Sequence, residues 1–280
     1  MQDTNAHLLT WRPTPLILAS ITVHILSLGA VLWRLQLWPW ALAVLVFNHA
    51  MLTAVSLWPR SQALGPNLTR LPEAAAQRGE VALTIDDGPD PDVTPAVLDL
   101  LDAHGVRATF FCIGERARAH PALCRAIVQG GHAVENHSNR HRHNFSLLGP
   151  CGYARELRAA QRTLSSITGT TPRFFRAPAG LRNPFLGPVL ARQNLLLASW
   201  TRRGFDTRET RPAVVLQRLL RKLRPGDILL LHDGHAARTA QGRPVILDVL
   251  PPLLDAIRSA NLTPVTLRAA YALPATPYRP

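Results

Sequence analysis

The sequence predicts an α/β protein, a parallel sheet or barrel preceded by two apolar helices. Three observations carry this. Two long runs near the N-terminus hold no formal charge. From residue 81 onward, short apolar runs alternate with helical patterns, the signature of βα units. The polar residues able to do chemistry fall at the ends of the short runs. A βα fold gathers such strand ends on one face.

The uncharged runs are residues 15–33 and 35–58. Each is long enough to span a hydrocarbon core of roughly 30 Å. Trp11, Trp33, Trp38, Trp40 and Trp58 lie in or beside them, near the ends where an aromatic belt sits. Spanning helices are expected at about 15–33 and 36–58, with buried core helices as the alternative. A cleaved signal peptide fits less well, because the apolar region is too long and a second one follows. His24 and His49 lie inside these helices, where interhelical hydrogen bonds are expected of them. The chain thus divides into an N-terminal membrane region (1–58), a connector (59–80), a folded domain (81–268) and a tail (269–280). Pro59, Gly65, Pro66, Pro72 and Gly79 punctuate the connector.

Within the folded domain, strands are expected near 81–85, 107–112, 132–135, 172–176, 195–200, 227–231 and 263–267. Helices are expected near 94–104, 116–130, 151–168, 184–193, 212–223 and 246–260. Thr94-Pro95 reads as an N-cap followed by proline at the first helical position, and Gly105 ends that helix. A chain of 280 residues is long enough to bury a substantial core.

The formal net charge is +13, and Lys222 is the only lysine. A basic surface suits an anionic membrane or a phosphate-bearing substrate. No nucleic-acid recognition motif accompanies the charge, so no nucleic-acid partner is expected. Cys112, Cys124 and Cys151 are an odd number without metal-ligand spacing, which reads as reduced thiols.

Asp86-Asp87 follows the apolar run Val81–Ile85 and precedes Gly88-Pro89. Two adjacent carboxylates at a strand end cannot both enter a core; they need water, cations or a metal. Downstream lie His137 and His141, four residues apart. One carboxylate with two imidazoles makes a three-ligand set for a catalytic divalent metal with an open position. The second carboxylate is then free to act as a base on the attacking water. Arg176 ends the fourth expected strand, Asp206 follows the fifth, and His232-Asp233 follow the sixth.

Together these segments resemble the NodB-homology polysaccharide deacetylases, carbohydrate esterase family 4, over roughly residues 80–268. Thr84-Ile85-Asp86-Asp87-Gly88 looks like the first family motif and His137-Ser138-Asn139-Arg140-His141 like the second. Arg176-Ala177-Pro178-Ala179-Gly180 is similar to the third, and Leu229-Leu230-Leu231-His232 to the fifth. The resemblance implies an irregular (β/α)7-type barrel. It implies Asp86 as general base, and Asp87, His137 and His141 as ligands of one divalent ion, zinc by family habit. It implies His232 as general acid, Arg176 holding Asp86, and Asp206 orienting His232. Ala179, Arg203 and Leu230 are the expected oxyanion and substrate-side residues. The chain departs from the pattern at two places. Ala179 stands where the third motif commonly has an aromatic. In the fourth motif, Arg203 stands where an aspartate is normal and Thr207 replaces a tryptophan.

The implied activity is hydrolysis of the N-acyl amide of an amino sugar. The two apolar helices, the basic domain and the lost aromatic wall point to a polyprenyl-phosphate-linked N-acetylhexosamine. This is the branch that prepares sugars for lipid A or envelope glycan modification, and membrane lipid is then a partner. The alternatives are an anchored deacetylase of peptidoglycan or extracellular polysaccharide, and an inactive carbohydrate-binding module. The expected location is a bacterial inner membrane, crossed more than once. Arg12, Arg60, Arg70 and Arg78 flank the helices on the domain side, and Arg34 alone lies in the turn. This places the catalytic domain in the cytoplasm, with the periplasm as the alternative.

Overall fold

A computed structural model describes residues 10–272. Two antiparallel helices, α1 (Pro15–Trp33) and α2 (Trp38–Ser56), open the described chain and are joined by a short 3-10 turn, Leu35–Leu37. Both are long and apolar enough to cross a membrane, and only 17% and 11% of their apolar stretches are buried. They are therefore not core helices of the domain beside them. Asn48 Nδ2 donates to Ser20 Oγ between the helices at 2.9 Å. His24 and His49 do not make the expected interhelical hydrogen bonds. Each ring nitrogen Nδ1 bonds the carbonyl one turn back in its own helix, and the two rings meet edge-on at 5.2 Å.

Residues 59–80 do not hang loose. Leu64, Leu71 and Ala75 are buried, and Leu68 pairs with Ala198. A short helix, α3 (Glu73–Gln77), leads into the sheet.

The sheet follows: β1 (Glu80–Asp86), β2 (Thr109–Cys112), β3 (Ala133–Asn136), β4 (Phe174–Phe175), β5 (Leu196–Leu197), β6 (Arg202–Arg203), β7 (Ile228–His232) and β8 (Thr263–Val265). All pairings are parallel, in the order β5-β4-β3-β2-β1-β7-β6, with β8 on the first half of β1. The curved sheet is an open half-barrel with helices outside: α4 (Thr94–Ala103), α5 (Gly114–Ala119), α6 (Pro121–Gln129), α7 (Pro150–Thr168), α8 (Leu186–Arg192), α9 (Pro212–Leu220) and α10 (Val245–Ser259). A last turn of helix, α11 (Leu267–Ala270), ends the described fold. It overlaps the start of the tail expected at 269–280; residues 273–280 lie outside the described residues.

Three details differ from the sequence reading. An eighth strand, β6, is two arginines long, and no apolar alternation announces it. The expected helix at 116–130 is two helices, because His120 precedes Pro121 and lies at φ −126°, ψ 60°. A residue before proline is pushed out of the α region. Thr94 is the first helical residue rather than the cap. Its hydroxyl donates to Asp233 Oδ2 at 2.5 Å instead.

Strand alternation decides which side chains reach the concave face. On β1, Val81, Leu83 and Ile85 pack outward against the helices, with Leu229 and Leu231 of β7. Burying side chains of this kind is worth about 1.5–3 kcal/mol each. The alternate residues Ala82, Ile228 and Leu230 face the interior cluster with Phe111, Phe174 and Trp200. The same period of two carries Thr84 and Asp86 on β1, and His232 on β7, onto the interior side. Asp86 and His232 are register partners at the carboxyl ends of these strands.

Candidate active site

The carboxyl ends of β1, β3, β4, β6 and β7 surround a pocket of about 260 Å³. Asp86, Asp87, His137, His141, Ala179, Arg203, Leu230 and His232 all line it. Arg176 and Asp206 lie buried behind it, 1% and 0% exposed. Asp206 follows β6, not the fifth strand.

Arg176 fixes Asp86. Its Nη1 donates to Asp86 Oδ1 at 2.7 Å and to Thr84 Oγ1 at 2.8 Å. Its Nη2 and Nε reach the carbonyls of Ser199 and Ala198 at 2.8 and 3.3 Å, and the guanidinium lies 4.1 Å over the Phe111 ring. Burial pulls the Arg176 pKa down, against the charge of Asp86 and its hydrogen bond. The pair is a buried ion pair with every nitrogen engaged, the condition under which such a pair is tolerated.

Asp87, His137 and His141 present one ligand atom each, all within 4.8 Å of one another. Both imidazole Nε2 atoms lie 3.1 Å from Asp87 Oδ1. His137 Nδ1 lies 2.8 Å from the carbonyl of Arg176. A carbonyl can only accept, so Nδ1 carries the proton, and in the metal-binding form, with Nε2 deprotonated, the Nε2 lone pair turns toward the carboxylate. Asp87 Oδ1 is buried with no hydrogen-bond partner among the described residues. A lone pair facing an orphaned carboxylate oxygen is unfavourable unless a cation lies between them. The residues therefore fit a divalent metal, and a histidine anchored through its other nitrogen is the usual supporting contact. Burial, the largest cause, takes the His141 pKa down to about 4, so its imidazole is neutral and able to coordinate.

Local backbone strain aims these groups. Asp87, His141 and Ala179 have φ of 76°, 49° and 54°, which costs about 1–3 kcal/mol each for non-glycine residues. Asn136 Oδ1 accepts from Ser138 N, and Ser138 Oγ from His141 N, so the loop after β3 is bonded into its bend. A Cβ at Gly88 would run into the Asp233 carboxylate, and one at Gly234 into the Asp87 carbonyl. Both positions need glycine because the loops after β1 and β7 touch. Asp233 sits beneath them, its pKa raised to about 7 first by burial and then also by Asp87.

On the opposite wall, Asp206 accepts from the backbone N–H and the Nδ1 of His232. Arg203 reaches in beside Trp200, its guanidinium 5.2 Å from that ring and 5.0 Å from the Phe205 ring. Its buried Nε has no hydrogen-bond partner among the described residues.

His143 and His235 lie outside the sequence motifs, yet both line the pocket. His235 Nδ1 lies 3.2 Å from Asp87 Oδ2, and its Nε2 lies 3.1 Å from Arg116 Nη2. An arginine only donates, so Nδ1 carries the proton toward Asp87. The available signal was position: His235 follows His232 past the end of β7. His132 is structural; its Nδ1 accepts from Ala108 N at 3.1 Å.

A triangle of residues able to hold a metal ion, beside a fixed carboxylate and a carboxylate-held histidine, fits a hydrolase site. Comparison with known proteins narrows the class. The family model described as polysaccharide deacetylase matches residues 73–195. A peptidoglycan-N-acetylglucosamine deacetylase of Bacillus cereus is 32% identical over 199 residues, 69% of each chain. A chitooligosaccharide deacetylase of a Bradyrhizobium species is 39% identical over 159 residues, covering 55% of this chain and 71% of that one. The solved Bc1960 peptidoglycan N-acetylglucosamine deacetylase superposes with a TM-score of 0.67 at 26% identity, over 76% of this chain and 95% of the other. The chain belongs to the polysaccharide deacetylase family. It is a hydrolase of the class that cleaves the amide bonds of N-acetylated sugars.

Proposed function

We propose that this chain removes the N-acyl group from an amino sugar carried on a polyprenyl phosphate at a membrane surface. The observation that carries the chemistry is the convergence of Asp86, the Asp87–His137–His141 triangle and His232 on one pocket. Asp87, His137 and His141 would hold a divalent ion, zinc on the donor set, which would supply polarisation of the acyl oxygen and acidification of water. Asp86, oriented by Arg176, takes the proton of the attacking water. The Ala179 backbone N–H is assigned to the developing oxyanion. His232, held by Asp206, donates a proton to the nitrogen as the carbon–nitrogen bond breaks. The acyl group leaves as a carboxylate and the sugar as an amine. Leu230 forms the apolar floor below His232.

The lipid-linked substrate is supported by Arg203 in the pocket, by the small Ala179, and by the two apolar helices packed beside the domain. We take α1 and α2 as a transmembrane hairpin and residues 81–268 as the catalytic domain, facing the cytoplasm. The named activities of the relatives favour a second reading, deacetylation of peptidoglycan or another N-acetylglucosamine polymer by an anchored enzyme. An inactive binding module is disfavoured by the complete set of site residues.

Mass spectrometry of lipid-linked sugars separates the readings. Cells carrying the wild type should accumulate a polyprenyl-linked sugar lighter by one acyl group than in cells carrying Asp86→Asn. An unchanged lipid pool with a deacetylated cell-wall polymer would favour the second reading.

A further inference from the structure

Beside the catalytic pocket lies a second, larger cavity. This groove has a volume of about 490 Å³ and shares Trp200 and Arg203 with the pocket. Its other side is Trp58, Pro59 and Arg60, the segment that leaves α2. Ser199 Oγ donates to the Pro59 carbonyl at 3.3 Å, and Arg60 Nη1 to the Thr201 carbonyl at 3.3 Å. The groove therefore lies between the catalytic loops and the end of an apolar helix, beside an exposed tryptophan of the kind found at membrane interfaces.

Its charge is one-sided. Arg60, Arg202, Arg203, Arg218 and Arg221 line it, and no carboxylate does. Arg202 pairs with Asp227 at 2.8 Å and Arg218 with Glu209 at 3.4 Å. Arg60, Arg203 and Arg221 have no carboxylate within ion-pair distance among the described residues. Three uncompensated guanidiniums around one concavity repel each other unless an anion joins them, and arginine is the side chain best matched to phosphate.

We propose that this groove seats the phosphate linker of the substrate, with Arg203 reading the phosphate nearest the sugar and Arg60 and Arg221 the outer anionic oxygens. The inference rests on the lipid-linked reading above. In a 2-acylamino sugar the acyl nitrogen and the phosphate occupy adjacent ring carbons. An amide placed between Asp86 and His232 then puts its phosphate at the junction where Arg203 stands. The lipid chain departs past Trp58 toward the apolar hairpin.

The test uses the full chain in nonionic detergent micelles, which carry no anionic headgroups. Wild type and an Arg60→Gln/Arg221→Gln double variant are given short-chain polyprenyl phosphate- and diphosphate-linked N-acetylglucosamine, and neutral chitotetraose. Both arginines are exposed, so the fold tolerates their replacement. In the double variant, KM for the phosphate-linked substrates should rise about tenfold, and preference over the neutral sugar should fall by a similar factor, as loss of charge-assisted contacts requires. A wild type that prefers the phosphate-linked sugar while the variant keeps that preference overturns the groove assignment and leaves the lipid-linked reading standing. A wild type that turns over only chitotetraose overturns both. A variant defect confined to vesicles of anionic phospholipid would assign the arginines to membrane headgroups and also overturn the proposal.

Discussion

Asp206 grips His232 at two points. Its Oδ2 accepts the His232 backbone N–H at 2.7 Å, and its Oδ1 lies 2.9 Å from Nδ1. This fixes the ring and leaves Nε2 as its free end. Burial draws the His232 pKa down, but the charge and hydrogen bond of Asp206, with smaller contributions from Asp87 and Asp86, lift it to about 9. The imidazole is therefore a cation at neutral pH, the state a proton donor needs.

A pH dependence follows, with its sign fixed by that direction. The donor is present below its pKa, so kcat should fall as pH rises through about 9. The proton's contribution to fold stability has the same sense: it is complete below the ordinary value of 6.5 and lost as pH rises through about 9. Asp206→Asn removes the largest contributions that raise the pKa and leaves burial with only the smaller ones of Asp87 and Asp86, so its alkaline limb should move to lower pH. A kcat–pH profile checks this. A limb that stays in place would separate it from His232.

Asp86→Asn and His232→Ala should each keep bound metal and lose turnover by about 10²–10⁴-fold, the usual contribution of a positioned acid or base. Steady-state kinetics on metal-quantified protein makes the comparison. A variant of either residue with near-wild-type kcat removes that residue from the mechanism.

Arg176→Ala leaves Asp86 buried beside Thr84 without its cation. Breaking one side of a buried pair costs about 3–5 kcal/mol, visible as a lower urea midpoint. Conservative Arg176→Lys should recover part of the stability but little activity, because a point charge cannot reach Asp86, Thr84, Ala198 and Ser199 together. A stability unchanged by the alanine substitution would contradict the pairing.

Much of this site was legible because strand ends in a parallel sheet converge and its motifs are local. Asp86-Asp87 and His137–His141 each lie within one loop, where spacing alone limits the geometry. The parts that escaped depend on tertiary contact. His235 meets Asp87 only because the loops after β1 and β7 touch at Gly88 and Gly234. The strand Arg202–Arg203 forms because it pairs with Leu229 and Leu230, not because its residues favour strands. The break at His120-Pro121 was readable from proline chemistry, but the helical period runs through it.

Membrane sidedness gives a further prediction. Arg70 and Arg78 are engaged by Asp227 and Glu80, so Arg12 and Arg60 are the flanking charges left to act near the hairpin, against Arg34 in the turn. Positive residues favour the cytoplasmic side. A C-terminal fluorescent-protein fusion should therefore glow and a C-terminal alkaline phosphatase fusion stay inactive. The reverse pattern would place the domain outside and favour the cell-wall reading.

The central claim is that Asp87, His137 and His141 hold the catalytic ion. Elemental analysis of wild type and His141→Ala, purified side by side, tests it most directly. The wild type should hold about one divalent ion per chain, as three protein ligands with an open position imply. The variant should lose both the ion and deacetylation. A variant that retains a full complement of metal would contradict the ligand assignment.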